Sequence, residues 1–436
     1  MNRTLDLRDE IERMPLGRAH WCVVATLALA TLFDGYDVFV PAYVIPYAMK
    51  SWALQPSQAG LLVSSGLIGF MIGSLMNGPI ADRVGRKPTL VAALVVAAAF
   101  NYATAAWAES YERFLILRIL TGVGLGMILP LCVTLLNEMA PRRTANVLIG
   151  WVMAGWSLGG VMAAVAGLEL APGYGWPSLF LAGALAMPCG ALLVAALPES
   201  PRFLGLRQRQ EDIRAVMSRL APSRRAAYAR TDFVIHEDTA HRGSFLRLLA
   251  PNVRGSTGIV WTCSALSLFT IYGLSSWTPQ IMLQRGETFG TSFTFGALLQ
   301  FMAILGGLGC GWMADRLGRE RTLSLSWSLG AVAIAGLALV NASATNLTFI
   351  AIAGFCVMGA QPVLNNLTAA LYETGVRSTG VGAQLGMGRL GGILGPYVGG
   401  WLQQLFPGSL ALFLFMAGAL TVGTLLLRGG LRRTTV

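Results

Sequence analysis

Long apolar stretches alternate with short polar segments along most of the chain. A bilayer core about 30 Å thick is crossed by roughly 20 apolar residues in a helix, and twelve stretches are long enough to do so. The pattern therefore predicts an all-α membrane protein with twelve transmembrane helices. In rough limits the predicted spans are residues 20–47, 59–81, 89–108, 113–139, 145–168, 177–197, 255–281, 292–314, 322–341, 347–372, 380–403 and 410–427.

A charged ten-residue string occurs twice, each time between two apolar spans. ADRVGRKPTL occupies residues 81–90, and ADRLGRERTL occupies residues 314–323. Such a repeat indicates a duplicated membrane protein, and a weaker echo links residues 136–144 with residues 371–379. Both copies are clusters of arginine and must lie on the same membrane face, which requires an even number of spans between them. We therefore expect two pseudo-symmetric halves of six helices each.

One long polar segment separates the two predicted halves. It is rich in arginine and in helix-forming residues, which indicates short amphipathic helices. The predicted divisions are residues 1–19 for the N-terminal segment, 20–197 for the first half, 198–254 for the linker, 255–427 for the second half and 428–436 for the C-terminal segment.

Lysine and arginine are distributed unevenly between the two sides of this arrangement. Of the 32 such residues, Lys50, Arg113 and Arg285 fall on one side and Arg118 and Arg389 lie inside spans. All the others lie on the side that holds both termini and the linker. Because cytoplasmic segments carry the excess of basic residues, both termini are predicted to be cytoplasmic. The formal charge of +11 then reflects membrane orientation rather than nucleic-acid binding.

Composition narrows the class of protein further. The chain has 54% hydrophobic and 12% charged residues, a balance typical of a multi-pass membrane protein. Its six cysteines lie inside spans without metal-ligand spacing, so no metal or cofactor is expected. Catalytic motifs are also missing, and we predict that the protein is not an enzyme. Because His20, His236 and His241 lie outside the spans, a proton carrier inside the membrane must be a carboxylate.

The two repeated loops follow a GxxxDRxGRxxxL-like pattern. Two six-helix halves, each with this loop between its second and third helix, resemble the major facilitator superfamily of transporters. The matching residues are Gly78, Asp82, Arg83, Gly85, Arg86 and Lys87 in the first copy, and Gly311, Asp315, Arg316, Gly318 and Arg319 in the second.

This resemblance implies that the loops form a conformational latch. The loop aspartate caps a helix N-terminus of the opposite half and the basic residues pair with nearby acids, in one state only. Glu138, at the end of span four, is predicted to pair with the loop arginines of this latch; alternatively it carries a proton. The arginines could also serve only as positive anchors that orient the helices.

Further strings resemble the aromatic acid:proton symporters, which are bacterial importers of benzoate-type and hydroxybenzoate-type acids. These strings are DGYD at residues 34–37, LPESPRFL at 197–204, YGLSSWTP at 272–279 and the part of span eleven around Arg389. The resemblance implies a protein of the bacterial cytoplasmic membrane, often monomeric, that works by alternating access. It would import protons together with an aromatic carboxylate such as hydroxybenzoate, benzoate, protocatechuate or gallate.

The sequence is also compatible with other transport functions. The main alternative function is that of a proton-coupled porter of another small organic acid or of a sugar-type solute. A drug:proton antiporter is less favoured, because such proteins usually have a GPxxGG string in span five and this span contains no proline there.

Two acidic residues, Asp34 and Asp37, lie near the middle of span one. An ionised side chain at a helix centre costs about 2.5–3.5 kcal/mol, so each of them needs a partner or a function. Their spacing places them on one helical face, where two carboxylates raise each other's affinity for protons. We predict that they form the proton-coupling site. The alternative is a structural pair that is hydrogen-bonded to neighbouring helices.

Two arginines also lie inside spans. Arg389 is about 14 Å along span eleven, near the midplane, and a guanidinium grips a carboxylate through two hydrogen bonds. We predict that Arg389 binds the substrate carboxylate; alternatively it pairs with an acid of span one. Arg118, near the outer end of span four, is the second candidate ligand. It could instead reach the membrane surface or pair with Glu109 or Glu112.

An aromatic substrate also needs apolar walls and a few polar groups. The predicted ring contacts, each of which could instead face lipid, are Tyr36, Trp156, Tyr272 and Trp277. Uncharged amides inside a span favour a cavity over lipid, although some could only bridge helices. The predicted amide contacts are Gln361, Asn365 and Gln384.

Overall fold

The computed structural model describes residues 3–234, 245–251, 253–373, 376–406 and 408–430. His236, His241 and most of the predicted C-terminal segment lie outside these residues. The described chain begins with a short strand, β1 (Arg3–Asp6), followed by a short helix, α1 (Leu7–Arg13). Asp6 caps this helix, because its Oδ1 accepts hydrogen bonds from the main-chain N–H groups of Arg8 (2.8 Å) and Asp9 (3.0 Å).

Six apolar segments form the first half, and the sixth is broken. Pro188 accounts for the break, because it has no N–H to donate to the carbonyl of Ala184. The helices are α2 (Arg18–Ser51), α3 (Pro56–Val84), α4 (Arg86–Trp107), α5 (Tyr111–Met139), α6 (Arg142–Glu169), the single turn α7 (Ala171–Tyr174), α8 (Pro177–Ala184) and α9 (Ala186–Ala196).

The linker contains short helices, as its composition predicts, and also a strand that we did not predict. Its elements are α10 (Pro201–Leu206), α11 (Gln210–Leu220), α12 (Arg225–Tyr228), β2 (Thr231–Val234) and 3-10 turns at Pro222–Arg224 and Phe245–Leu249. The α11 helix is amphipathic and buries one apolar face. Strand β2 pairs in parallel with β1, from Arg3 opposite Thr231 to Asp6 opposite Val234. A local pattern does not reveal this pairing, because the two strands are far apart in the sequence.

Six more segments form the second half. The tenth span is interrupted by a π turn at Gly354–Met358, just before Pro362, which cannot donate to the carbonyl of Met358. The helices are α13 (Arg254–Gln284), α14 (Phe289–Leu317), α15 (Arg319–Leu339), α16 (Ser343–Ala353), α17 (Gln361–Leu371), α18 (Arg377–Leu405) and α19 (Leu410–Gly430).

The observed helices match the predicted spans. Eleven helical segments of the described chain are long and apolar enough to cross a membrane. The remaining predicted span, residues 380–403, lies within α18, a continuous helix of 29 residues that carries Arg389. The prediction of twelve transmembrane helices in two halves is therefore confirmed, with ends that differ by only a few residues.

The glycine of each repeated loop makes a sharp turn between two helices. Gly85 has a φ of +116° between α3 and α4, and Gly318 has a φ of +86° between α14 and α15, a region that favours glycine. The alternating direction of the helices places both turns at the same end of the bundle. We call this end the loop face and the opposite end the far face.

The two halves contact each other closely near the far face. The Ser64 hydroxyl in α3 donates a hydrogen bond to the carbonyl of Ile393 in α18 (2.7 Å). Tyr43 of α2 packs against Phe293 of α14, with ring centroids 5.0 Å apart. A Cβ at Gly60 would overlap the carbonyl of Pro396, so glycine is needed where α3 and α18 meet. The structure therefore describes a state that is closed at the far face.

Candidate functional site

Asp37 is the centre of a buried polar cluster inside the first half. Asn101 of α4 donates from Nδ2 to Asp37 Oδ2 (2.5 Å), and Arg118 of α5 donates from Nη1 to Asn101 Oδ1 (3.2 Å). Arg118 also donates from Nη2 to the main-chain carbonyl of Asp37 (3.1 Å), and its Nη1 lies 3.9 Å from Asp37 Oδ1. Charge and hydrogen bonds thus compensate this carboxylate within its own half.

Arg118 is consequently not a surface residue. Its exposed fraction is 1%, and its guanidinium carbon lies 5.2 Å from the centre of the Phe180 ring. Glu109 pairs instead with Arg113 (2.8 Å). The alternatives in which Arg118 reaches the membrane surface or pairs with Glu109 or Glu112 are therefore wrong, because span one offers Asp37 as a closer buried acid.

Asp34 lies one turn before Asp37 but in a different environment. It is fully buried, and neither of its carboxylate oxygens has a hydrogen-bond partner among the described residues. Arg389 of the second half and Asp37 are its charged neighbours at longer range. An ionised carboxylate without a direct partner is costly in the interior. Asp34 is therefore the group that a proton or a nearby positive charge would satisfy.

Arg389 of α18 reaches the boundary between the halves. Its guanidinium carbon lies 4.0 Å from the centre of the Phe70 ring in α3, and its Nη1 donates to the Tyr272 hydroxyl of α13 (3.2 Å). The described residues include no acid that forms an ion pair with it. The direct pair between Arg389 and an acid of span one is thus not observed, and most of its five N–H donors remain for a ligand.

An aromatic cluster with rings from both halves includes Tyr272, which contacts this arginine. Phe39 of α2 lies face to face with Tyr272, with centroids 6.5 Å apart and an interplanar angle of 22°. Trp156 of α6 meets Phe39 edge to face at 5.0 Å. Gly35 allows this approach of α2 and α6, because a Cβ there would overlap the carbonyl of Trp156. Two of the predicted rings, Trp156 and Tyr272, therefore both adjoin Phe39, and Tyr272 also contacts Arg389.

The other two predicted rings have structural partners instead. The Tyr36 hydroxyl donates to the carbonyl of Leu179 (2.8 Å), inside the first half. Trp277 is fully buried and donates from Nε1 to the carbonyl of Pro396 (2.9 Å), which ties α13 to α18. The polar atoms of both side chains are thus paired with main-chain carbonyls, as buried O–H and N–H groups usually are, and contact of their rings with substrate stays a prediction.

The three predicted amides form one network in the second half. Gln384 Nε2 donates to Ser264 Oγ (2.7 Å) and to Asn365 Oδ1 (3.3 Å). Ser267 Oγ donates to Gln361 Oε1 (2.8 Å). Gln361 Nε2 also donates to Asn365 Oδ1 (3.5 Å), which joins the three amides. Their contact with substrate stays a prediction.

The first repeated loop is tied into its own half. Arg86 pairs with Asp82 (3.1 Å) and with Glu138 (3.5 Å). The predicted pairing of Glu138 with a loop arginine is thus present, and its role in a latch stays a prediction. Glu199 Oε1 accepts hydrogen bonds from the main-chain N–H groups of Arg86 (3.1 Å) and Lys87 (3.2 Å), so it caps the N-terminus of α4. Asp82 is 68% exposed and caps none of the described helices of the opposite half in this state.

Within the described part of the chain, the second loop has fewer partners than the first. Arg316 packs on the Trp312 ring, with its guanidinium carbon 4.2 Å from the ring centre. Asp315 and Arg319 line an open cavity of about 520 Å³ together with Leu367. The two copies of the repeat therefore differ in how firmly they are held.

Several residues of the site were not predicted. Asn101 could have been found, because it is an uncharged amide within the apolar stretch of span three. Gln300 of span eight carries the same signal as the three predicted amides, which were ranked above it. Phe39 and Phe70 carried no distinguishing signal, since an apolar ring in a span is common. Their position follows from how the two halves meet.

Known proteins resemble this chain over nearly its whole length. The sequence matches the Major Facilitator Superfamily over residues 27–396 and 311–435. It is 34% identical to the 4-hydroxybenzoate transporter PcaK of Pseudomonas putida, over 98% of this chain and 96% of that protein. It is also 34% identical to the gallate transporter of Pseudomonas putida (94% and 91% covered) and 31% identical to the benzoate transport protein of Acinetobacter baylyi (93% and 88% covered).

The fold is also similar to solved structures. One is a bacterial homolog of the human lysosomal transporter Spinster in an inward-facing and unoccupied conformation. Its TM-score is 0.75 at 17% identity, with 96% of this chain and 99% of that chain covered. Sequence and fold agree, and the chain belongs to the major facilitator superfamily of multi-pass membrane transporters.

Proposed function

We propose that the protein is a proton-coupled symporter that imports an aromatic carboxylate by alternating access. The observation that carries this proposal is the position of Arg389, which forms no ion pair with a described acid and lies among aromatic rings of both halves. A ring that bears a carboxylate complements both features. The relatives are named for 4-hydroxybenzoate, gallate and benzoate, and all three are aromatic carboxylates.

The substrate carboxylate would bind Arg389 through two parallel hydrogen bonds. Tyr272 already accepts one N–H of this guanidinium, which fixes its orientation and leaves the Tyr272 O–H able to donate to the same carboxylate. The substrate ring would lie against Phe39 and Tyr272, one from each half. The substrate would thus contact residues of both halves at the same time. Alternating access requires a site at the boundary between the halves.

Charge balance gives a physical reason for coupling to protons. Asp34, Asp37, Arg118 and Arg389 sum to zero when all four are ionised. A bound anion leaves one uncompensated negative charge in a region of low dielectric constant, which is costly. One proton on the Asp34–Asp37 pair restores neutrality. Both the empty form and the form loaded with one anion and one proton are then neutral and able to switch.

Within the pair we assign the loading proton to Asp34. Asp37 is compensated by Arg118 and Asn101, whereas the Asp34 oxygens have no described hydrogen-bond partner. Arg389 is the cation of the second half that acts on Asp34. A bound anion neutralises the charge of Arg389 and so weakens its stabilisation of ionised Asp34. Substrate binding therefore favours the protonated form of Asp34, and protonation of Asp34 favours substrate binding.

Basic residues concentrated at the loop face support an orientation with this face in the cytoplasm. Closure at the far face then means that the structure describes an inward-facing state. We place the protein in the bacterial cytoplasmic membrane with both termini inside. One chain holds both halves of the site, so we propose the monomer as the transport unit.

We further propose that the loops at Asp82 and Asp315 act as the latch of the outward-facing state. In the described state Arg86 holds Asp82 and Glu138 within the first half. On switching, the exposed Asp82 would become available to cap a helix of the second half. The Arg86–Asp82 and Arg86–Glu138 pairs would then be replaced by contacts between the halves.

The proposal is tested by uptake into proteoliposomes with an imposed proton gradient. We expect labelled 4-hydroxybenzoate, gallate or benzoate to accumulate, and collapse of the gradient with a protonophore to stop accumulation. Hexanoate and xylose serve as the aliphatic acid and the sugar. Uptake of those two alone would contradict the proposal. Arg113→Gln removes only an exposed surface pair of little energetic value. It is the control for substitutions of Arg389.

A further inference from the structure

Several buried polar atoms have no hydrogen-bond partner in the described part of the chain, and two of them belong to side chains beside Phe39. They are the indole Nε1 of Trp156 in α6 and the amide Oε1 of Gln300 in α14, and both atoms are buried. Gln300 as a whole is 2% exposed. One atom is a donor and the other an acceptor, and they come from opposite halves. Unpaired buried polar atoms are unfavourable unless a ligand pairs with them.

Both side chains adjoin Phe39. The Trp156 ring lies edge to face on Phe39 at 5.0 Å. A Cβ at Gly160 would lie 2.8 Å from Phe39 Cδ2 and 2.9 Å from Gln300 Cδ, so Phe39 and Gln300 press against the same turn of α6. Phe39 in turn faces Tyr272, which holds Arg389. A continuous line of rings therefore connects the arginine to the two unpaired atoms.

We propose that Trp156 and Gln300 form a subsite that recognises a hydroxyl group on the substrate ring. The hydroxyl accepts a hydrogen bond from Trp156 Nε1 and donates one to Gln300 Oε1, while the carboxylate at the other end of the ring binds Arg389. This inference rests on the proposed function, because it takes an aromatic acid at Arg389 as its starting point. It narrows the substrate class to ring-hydroxylated acids.

The chemistry of a phenolic hydroxyl fits this pair of atoms. The group is both a donor and an acceptor, so a single hydroxyl satisfies the indole N–H and the amide oxygen together. Benzoate would leave both atoms unpaired, and a site built to hydrogen-bond a substrate hydroxyl rejects the analogue that lacks it.

The amide network of the second half is less suited to this task. Gln361, Asn365 and Gln384 each bond to a neighbour within that half, and only Gln384 Oε1 among their oxygens is buried without a described partner. The side chains of Trp156 and Gln300 have no such bond among the described residues. The subsite at Trp156 and Gln300 also needs both halves, so it exists only where α6 and α14 meet.

The test compares labelled benzoate with labelled 3- and 4-hydroxybenzoate in proteoliposomes under an imposed proton gradient. Trp156→Phe removes the N–H and keeps an aromatic ring; Gln300→Met removes the amide and keeps the length of the side chain. The matched controls are Trp151→Phe, lipid-exposed on the same helix, and Gln404→Met, exposed on α18. The preference is measured as the KM for benzoate divided by the KM for the hydroxylated acid. We expect this ratio to exceed one in wild-type protein for at least one hydroxylated acid, and each subsite variant to lower it roughly tenfold.

The preference is the ratio of two KM values in one variant, so a general loss of transport does not change it, and an unfolding temperature in detergent close to that of wild type shows that both subsite variants are folded. If one variant fails to fold, the other carries the test. Equal preference of the wild type for benzoate and both hydroxybenzoates would overturn the inference. The inference would also be overturned if both subsite variants kept a preference for the hydroxylated acid within about twofold of wild type. Loss of that preference in Gln384→Leu, but not in the subsite variants, would overturn it as well. Absence of any aromatic acid uptake by wild-type protein would instead reject the proposed function itself.

Discussion

The guanidinium carbon of Arg389, in the second half, lies 4.0 Å from the centre of the Phe70 ring in the first half. This cation–π contact joins the halves near the middle of the membrane. It stabilises a charge that has no direct acid partner among the described residues, and it leaves most of the guanidinium donors open. A carboxylate bound there would act at the boundary along which the halves move.

Replacing Arg389 should remove substrate binding rather than folding. We expect Arg389→Gln to abolish uptake of 4-hydroxybenzoate, and Arg389→Lys to keep less than roughly a tenth of it, because an ammonium lacks the planar two-toothed geometry. Substrate-dependent thermal stabilisation in detergent measures binding separately from transport. Stabilisation of Arg389→Gln by the same substrate concentrations as wild type would place the carboxylate elsewhere.

Asp34 and Asp37 should respond differently to the same substitution. Asp37→Asn leaves Arg118 buried without its counter-charge, which costs about 3–5 kcal/mol of folding free energy, whereas Asp34→Asn removes no direct partner. We expect both variants to lose accumulation, but only Asp37→Asn to unfold at lower temperature. The double variant Asp37→Asn/Arg118→Gln should recover part of that stability. Equal destabilisation by the two single variants would mean that Asp34 has a structural partner.

The two repeated loops should contribute unequally to transport. Arg86 contacts Asp82, Glu138 and the Phe203 ring, whereas Arg319 lines an open cavity. We expect Arg86→Gln to slow uptake roughly tenfold, the scale of a typical coupling between two conformational states, and Arg319→Gln to slow it much less. Initial rates at matched reconstitution levels measure this. A larger effect at Arg319 would contradict the unequal roles.

Acid should loosen the contact between the N-terminal segment and the linker. Burial raises the pKa of Glu10, but hydrogen bonds from Tyr228 (2.6 Å) and Arg224 (2.5 Å) outweigh it, so the pKa is lowered overall. The stabilisation by Glu10 is therefore complete above the ordinary glutamate pKa, about 4.3, and is lost as the pH falls through the lowered value.

Hydrogen exchange of the amides in β1 and β2, corrected for intrinsic rates, measures this effect. Protection should fall with acid in wild-type protein and should be low at all pH values in Glu10→Gln. Asp9→Asn, an exposed neighbour on the same helix, should behave as wild type. Protection that is independent of both pH and Glu10 would show that the strand pairing does not depend on this carboxylate.

The fold could be predicted because its signals are local. Apolar span length, the repeated loop and the bias of basic residues are each read from a few neighbouring residues, and they fixed twelve helices in two halves. The pairing of β1 with β2 could not be predicted in this way. It depends on contacts between residues more than two hundred positions apart.

The site could be predicted only as far as its charges. A buried charge must have a partner or a function, so Asp34, Asp37, Arg118 and Arg389 stood out in an apolar chain. Which of them meet was not visible: Arg118 turns inward to Asp37 and not outward to Glu109. The sequence also does not show that the polar atoms of Tyr36 and Trp277 donate to the carbonyls of Leu179 and Pro396.

Substrate-driven proton movement tests the central claim most directly. Proteoliposomes that enclose a pH-sensitive dye, with no imposed gradient, receive 4-hydroxybenzoate outside, and protein-free liposomes correct for passive permeation of the acid. We predict acidification of the interior with wild-type protein and none beyond the passive signal with Asp34→Asn or Arg389→Gln. Alkalinisation with wild-type protein, or wild-type acidification in either variant, would contradict the account.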